Sequence, residues 1–121
     1  MHHYFKKMEN KFIINGVEFI NLTRHPINIV IDDEILEIGK CENPILLKES
    51  RIKFSEVGGI DVNLVTLSKE GDSPEPAPNK YYIVSRAVAE AFRRGDFLIP
   101  DETVRDDNGR IIGCKSFAVI L

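Results

Sequence analysis

Thiols and imidazoles are scarce in this sequence, and the scarcity excludes several chemistries. Cys41 and Cys114 are its only cysteines, 73 positions apart. Without a CxxC spacing or further partners they form neither a disulfide framework nor a cysteine metal site. Each reads as a structural or incidental thiol, with a redox or nucleophilic role as the alternative. The histidines are His2, His3 and His25. His25 has no HxxxH or HExxH companion, which argues against zinc. No P-loop, GxSxG or GxGxxG is present, so the common nucleotide-hydrolase, esterase and dinucleotide signatures are missing and no cofactor is expected. No apolar run approaches the ~20 residues of a membrane span. Lys6 and Lys7 are followed by Glu9 and Lys11 rather than by an apolar stretch. That is not a secretory signal, and the default expectation is the cytoplasm. Met8 is an alternative start. Basic excess is lacking too: the net charge is -3 and the pI about 5.6. A broadly basic nucleic-acid surface is excluded, and no DNA or RNA duplex is expected as partner.

What remains is ordinary globular material. The 121 residues are 43% hydrophobic and 29% charged, enough for one domain with its own core. Residues 1–10 are polar and read as a flexible N-terminal segment, leaving 11–121 as a single ligand-binding domain. Phe12–Ile14, Asn15-Gly16 and Val17–Ile20 read as a hairpin, because Asn-Gly supplies the two positive-φ residues of a type I′ turn. Ile27–Ile31 and Ile35–Ile38 form a second hairpin around Asp32-Asp33-Glu34. Residues 39–49 read as a connection that is helical in part or not at all. Arg51–Val57 alternates polar and apolar, Gly58-Gly59 turns, and Ile60–Leu67 returns. Residues 68–80 hold Gly71, Pro74, Pro76 and Pro78 with three acids. This stretch reads as a solvated loop or as a lid that contacts a partner. A last hairpin joins 102–105 to 111–120 through Asp106-Asp107-Asn108-Gly109. The fold class this implies is α+β: a mainly antiparallel sheet built from hairpins, with one or two helices packed at one end.

The clearest helix is Arg86–Arg94. Tyr81–Val84 runs into Ser85 as N-cap, Arg93 and Arg94 suit the C-terminal dipole, and Gly95 suits the left-handed position after it. Free amides at a helix start attract anions, and Arg86 in the first turn opposes the dipole. Arg86 therefore reads either as a phosphate ligand or as an exposed arginine paired with Glu90, four residues on. Arg105 and Arg110 flank the 106–109 turn. Each is either a phosphate fork or a partner of Asp106 or Asp107. Among the aromatic residues, Tyr81, Tyr82, Phe54 and Phe92 are candidates to stack on a base, and three of the four belong in a core. Tyr81 and Tyr82 face opposite sides of their strand, so at least one is exposed.

Catalysis finds little support. Asp32-Asp33, Asp101-Glu102 and Asp106-Asp107 are adjacent acids in expected turns, where carboxylates are solvated. His25, Thr23 and Cys41 make no triad. The chain is not expected to be an enzyme.

Three stretches carry a family resemblance. They are FINLTRHPINI (19–29), similar to an NLTPH opening, YYIVSRAVAEAF (81–92) and VRDDNGRIIGCKSFA (104–118), together about a third of the chain. They are similar to small phage and prophage proteins. On them the chain resembles the phage Thoeris anti-defence sponge family, which captures glycocyclic ADP-ribose. The resemblance implies sequestration of a cyclic nucleotide-derived immune signal without cleavage. It extends to cyclic di- or trinucleotides, and to assembly as a dimer or hexamer with sites between protomers. It matches Arg86 and Arg105 to phosphate arginines, with Ser85 and Arg110 beside them. Phe54 and Asn63, on the 51–67 hairpin, and Tyr82 are assigned to the base. Arg24 stands where the family has proline. Two competing readings are a phage protein that inhibits a host protein by direct contact, and a small cyclic-nucleotide hydrolase.

Overall fold

A computed structural model describes residues 3–70 and 73–121; His2 of the N-terminal segment, and Gly71 and Asp72 of the 68–80 stretch, lie outside the described residues. Ten strands and one helix follow in the order β1 His3–Lys7, β2 Lys11–Ile14, β3 Val17–Asn21, β4 Ile27–Ile31, β5 Glu34–Ile38, β6 Leu46–Val57, β7 Ile60–Glu70, β8 Lys80–Ile83, α1 Arg86–Phe92, β9 Phe97–Arg105 and β10 Ile111–Ala118. Eight strands form one sheet in the order β1-β5-β4-β10-β9-β8-β3-β2, and β6 and β7 form a separate ribbon. The α+β class holds. Each hairpin is antiparallel, whereas the hairpins join one another by parallel pairs: β1 with β5, β4 with β10, β3 with β8 and β8 with β9.

The local turn chemistry works as the sequence requires. Asn15 and Gly16 take φ 49° and 79° between β2 and β3. Ser85 is the N-cap of α1, and its Oγ accepts from Val88 N. Of the two readings of 39–49, the one without a helix holds: the segment turns and then enters β6. Three features differ from expectation. Residues 3–7, which carry no obvious strand pattern, pair with β5. The helix stops at Phe92, and Arg93 rather than Gly95 takes the left-handed position, with φ 50° and ψ 51°. That geometry costs a non-glycine residue about 1–2 kcal/mol, and it is held by Arg93 N donating to Ala89 O and Nη1 donating to Leu121 O. Asp101-Glu102 lies inside β9 rather than in a turn, with Glu102 at φ 46°.

The sheet must curl. Laid flat, eight strands at about 4.8 Å spacing span about 34 Å. The two edge strands, β1 and β2, are joined by Met8–Asn10 alone, and a link that short reaches about 14 Å. The edges therefore approach each other, and the sheet encloses an inner face. Phe12 of β2 is buried there with Ile29, Ile38, Ile83 and Cys114 from four other strands. Phe19 stacks between Phe12, Tyr81 and Phe117 on the same side. Side chains alternate along β8, so Ile83 points inward while Tyr82 points outward. On the outer face Tyr82 packs with Val84, Val88, Ala89, Phe97 and Ile99 under α1. No helix among the described residues is long and apolar enough to cross a membrane.

The seam is tied by one side chain. Asn21, at the end of β3, is fully buried. Its Nδ2 donates to His25 O at 2.9 Å and to Gly39 O at 3.0 Å. Its Oδ1 accepts from Thr23 N at 2.9 Å and Thr23 Oγ1 at 2.7 Å. Its backbone exchanges hydrogen bonds with Asn10. Gly39 N donates to Glu9 O, and a Cβ at Gly39 would collide with the Met8 carbonyl. Only glycine lets the β1–β2 link pass so close.

The proline-rich stretch after β7 is pinned rather than free over its described part. Arg94 Nη1 donates to Pro74 O at 2.7 Å, and Tyr82 Oη donates to Glu75 O at 3.3 Å. Arg94 also forks onto Asp96 through Nε and Nη2 at 2.9 and 2.7 Å, and its guanidinium lies 4.2 Å above the Phe97 ring. Asp96 raises the Arg94 pKa still further above its ordinary value.

Asn21→Ala should lower stability by about 2–4 kcal/mol, since it removes the side-chain hydrogen bonds to His25 O, Gly39 O and Thr23 and leaves a void where a fully buried amide stood. Urea unfolding measures this, and a loss below about 1 kcal/mol would show that the seam is held elsewhere.

Candidate functional site

Parallel neighbours end at the same level of a sheet. Asn21 of β3 is in register with Ile83 of β8, so the segments that follow them, 22–26 and 84–86, emerge side by side. Leu22 N donates to Ile83 O at 2.8 Å and joins the two. A depression of about 360 Å³ opens there, lined by Thr23, His25, Ile27, Val84, Ser85, Arg86, Ile99 and Pro100. Thr23, His25 and Ser85 also line an adjoining depression of about 230 Å³ with Arg24 and Pro44. A third, of about 390 Å³, continues from Arg24 past Lys40, Cys41 and Glu42, where a carboxylate stands beside the lysine. The result is one groove across the carboxyl ends of β3 and β8. Two of the segments that carry the resemblance thus meet at one place.

No carboxylate lines the first two depressions, while Arg24, His25 and Arg86 stand along them. The groove can therefore attract an anion. Arg86 is 74% exposed and pairs with Glu90 through Nε–Oε1 at 3.1 Å. Such an exposed pair contributes little to stability and separates readily. The amide reading is weakened: α1 has only seven residues, and the Ser85 hydroxyl already takes the Val88 amide. Charge in the groove comes from side chains more than from the helix. Ser85 and His25 share the groove, yet no hydrogen bond among the described residues joins them. The Thr23 hydroxyl is occupied: it donates to Asn21 Oδ1 and accepts from His25 N.

The other residues singled out from sequence are not gathered here. Arg105 lies five residues beyond Pro100 along β9, about 17 Å at strand rise. Its Nη1 donates to Gly109 O at 2.7 Å and clamps the 106–109 turn. Arg110 N donates to Asp106 Oδ1, as does Asn108 N. Asp106 thus serves backbone amides, and neither arginine side chain pairs with it. Phe54 and Asn63 lie well out along the ribbon, Phe54 eight residues from Leu46 and so about 27 Å beyond the groove's edge. Tyr82 is 4% exposed and edge-on to Phe97. It belongs to the core of the outer face, while its strand neighbour Tyr81 stacks on Phe19 on the inner face and is 37% exposed. Arg24 and His25 are the groove residues that sequence reasoning passed over, because their proximity to Ser85 depends on the parallel β3–β8 pairing. No three His, Cys, Asp or Glu side chains among the described residues converge to hold a metal ion.

No protein family matches the chain, no characterised protein matches it, and no solved structure matches its fold.

The two thiols differ in surroundings. Cys41 is half-buried at the groove's end, while Cys114 is buried and its Sγ lies 3.5 Å from Asn28 O. Burial pushes the Cys114 thiol above its ordinary value. A raised folded pKa stabilises the fold below the unfolded value, about 8.5. That contribution is lost as pH rises through the folded value. Iodoacetamide at mildly alkaline pH should thus modify one thiol per native chain, Cys41, and both in denaturant. Mass spectrometry showing rapid native labelling of Cys114 would contradict the packing described.

Proposed function

We propose that the protein is a binding module that captures a small phosphate-bearing nucleotide and holds it without turnover. The resemblance narrows the ligand to a cyclic ADP-ribose-type signal, with cyclic di- or trinucleotides as further candidates, and makes the role one of phage anti-defence. The observation that supports this reading is the groove itself. Two stretches of the resemblance meet in a carboxylate-free depression flanked by Arg24, His25 and Arg86. Arg86 would exchange its exposed bond to Glu90 for a phosphate, where its planar fork matches two oxygens. Arg24 would add a second cation along the same groove.

Arg105, Arg110, Phe54 and Asn63 lie too far away to share that ligand within one chain. If they take part, they do so from a second protomer, which fits the homo-oligomer that the resemblance implies. Binding without chemistry sets the expected stoichiometry: free ligand falls until the sites are filled, then stays level.

The test incubates the protein with a panel of cyclic nucleotides, removes unbound material, denatures by heat and identifies what is released. Intact ligand supports capture. An altered product means a hydrolase, and no retained ligand favours direct inhibition of a host protein. In calorimetry with the retained nucleotide, Arg86→Ala should weaken binding roughly ten- to a hundredfold, the worth of one charge-assisted hydrogen bond or fork. Its thermal stability should be nearly unchanged, given its exposure. Unaltered affinity would remove Arg86 from the site.

A further inference from the structure

The β6–β7 ribbon projects from the domain. Near its base Leu47 packs on the outer core and Lys69 sits 4.6 Å over the Phe92 ring. Beyond Lys48 and Ser68 neither edge pairs with another strand among the described residues, and every side chain except Ser55 is exposed. An isolated two-stranded hairpin is marginal in water, and free edges invite pairing. This ribbon is long, with eleven paired rungs from Leu46↔Glu70 to Val57↔Ile60.

Its two faces differ. Residues opposite one another share a face, so Ile52 lies with Leu64, Ser55 with Val62, and Val57 with Ile60. From Ser50 to the tip this face holds no charged residue. Phe54 is the extra residue of a bulge beside it. Ile52, Phe54 and Ile60 are 64%, 72% and 71% exposed, and Val57, Val62 and Leu64 are also open to solvent. The charges lie on the other face and are already paired: Glu49 with Arg51, and Lys53 with both Glu56 and Asp61. The second face is mixed, since Val65 and Leu67 stand opposite Arg51 and Glu49, whereas the first carries no charge from Ser50 to the tip.

We infer that the apolar face of this ribbon is the contact between two copies of the chain. Two arguments select a second copy over an unrelated partner. First, a face without charge is complementary to itself, because a two-fold contact brings no like charges together. The charges near the tip, Lys53, Glu56 and Asp61, lie on the opposite face, so the apolar face itself offers none to select a partner of opposite sign. Second, the size fits. The six side chains expose on the order of 700 Å², against about 800 Å² per partner in a stable complex. This names a surface for the assembly invoked above, and rests on that part of the reading alone. Ligand capture is measured separately, so a monomer that still binds nucleotide would overturn this inference and leave that one standing.

Sedimentation velocity at micromolar concentration tests it. The wild-type protein should sediment as a dimer or a multiple of it. Ile52→Glu and Leu64→Glu should each sediment as a single 13.7 kDa chain, with far-UV circular dichroism unchanged. Ile13→Glu, at an exposed apolar position on β2 and outside the ribbon, should remain assembled. A monomeric wild type would overturn the inference without recourse to any variant. So would wild-type sedimentation of both ribbon variants, or equal dissociation by Ile13→Glu.

Discussion

The structure depends first on Asn21. Its amide is removed from water, and each polar position meets a partner: two carbonyls for the NH2, a backbone amide and a hydroxyl for the oxygen. A buried amide left half-satisfied would cost more than it returned, so this network is formed as a unit or not at all. It connects the end of β3, the 22–26 turn and the end of β5, while the Asn21 backbone holds the β1–β2 link through Asn10. Those are the parts that bring the two edges of the sheet together. Without them the short covalent link still draws the edges together, but nothing fixes how they meet, and the enclosed face on which Phe12 packs is loosened.

The groove inherits its shape from the same network. Asn21 Nδ2 donates to the His25 carbonyl, and the Thr23 hydroxyl, which donates to Asn21 Oδ1, accepts from His25 N; together they fix the path of the 22–26 turn. The turn then stands beside Ser85 because β3 and β8 run parallel. On the other face Arg94 holds the coil after β7 against the core, using Asp96, Pro74 and Phe97 together. The site is thus carried on two rigid anchors, and the side chains that face solvent within it are free to exchange partners. Arg86 is the clearest case, since its bond to Glu90 is exposed and weak.

What could be read from the sequence was local. The four hairpins follow from turn residues whose backbone preferences are intrinsic: Asn15-Gly16, the acids after Ile31, Gly58-Gly59 and Asp106–Gly109. The Ser85 cap follows for the same reason. Parallel pairing leaves no such mark, because no turn encodes it, so the neighbourhood of His25 and Arg86 was invisible. Residues 3–7 were missed because the strand is polar and gains its pattern only from β5. Tyr82 and Tyr81 were correctly placed on opposite faces, yet alternation alone does not say which face α1 covers. Gly95 looked like the helix stop because glycine is the usual left-handed residue. Here the chain stops two residues earlier, and the Arg93 side chain helps to hold that geometry.

This division bears on what the family resemblance means. In FINLTRHPINI, Asn21 and Thr23 spend their polar atoms on the seam. In YYIVSRAVAEAF, Tyr82 is core and Ser85 is a cap. In VRDDNGRIIGCKSFA, Asp106 and Arg105 close a turn, and Cys114 is buried. Most of the residues that carry the likeness are therefore occupied in building the scaffold, and a protein could keep all of them while binding a different ligand. Within those stretches the residues with free valence are Arg24, which departs from the family pattern, His25 and Arg86, all along the groove; the apolar face of the ribbon lies outside them. The identity of a ligand has to be argued from the cations of the groove, where this chain has a character of its own.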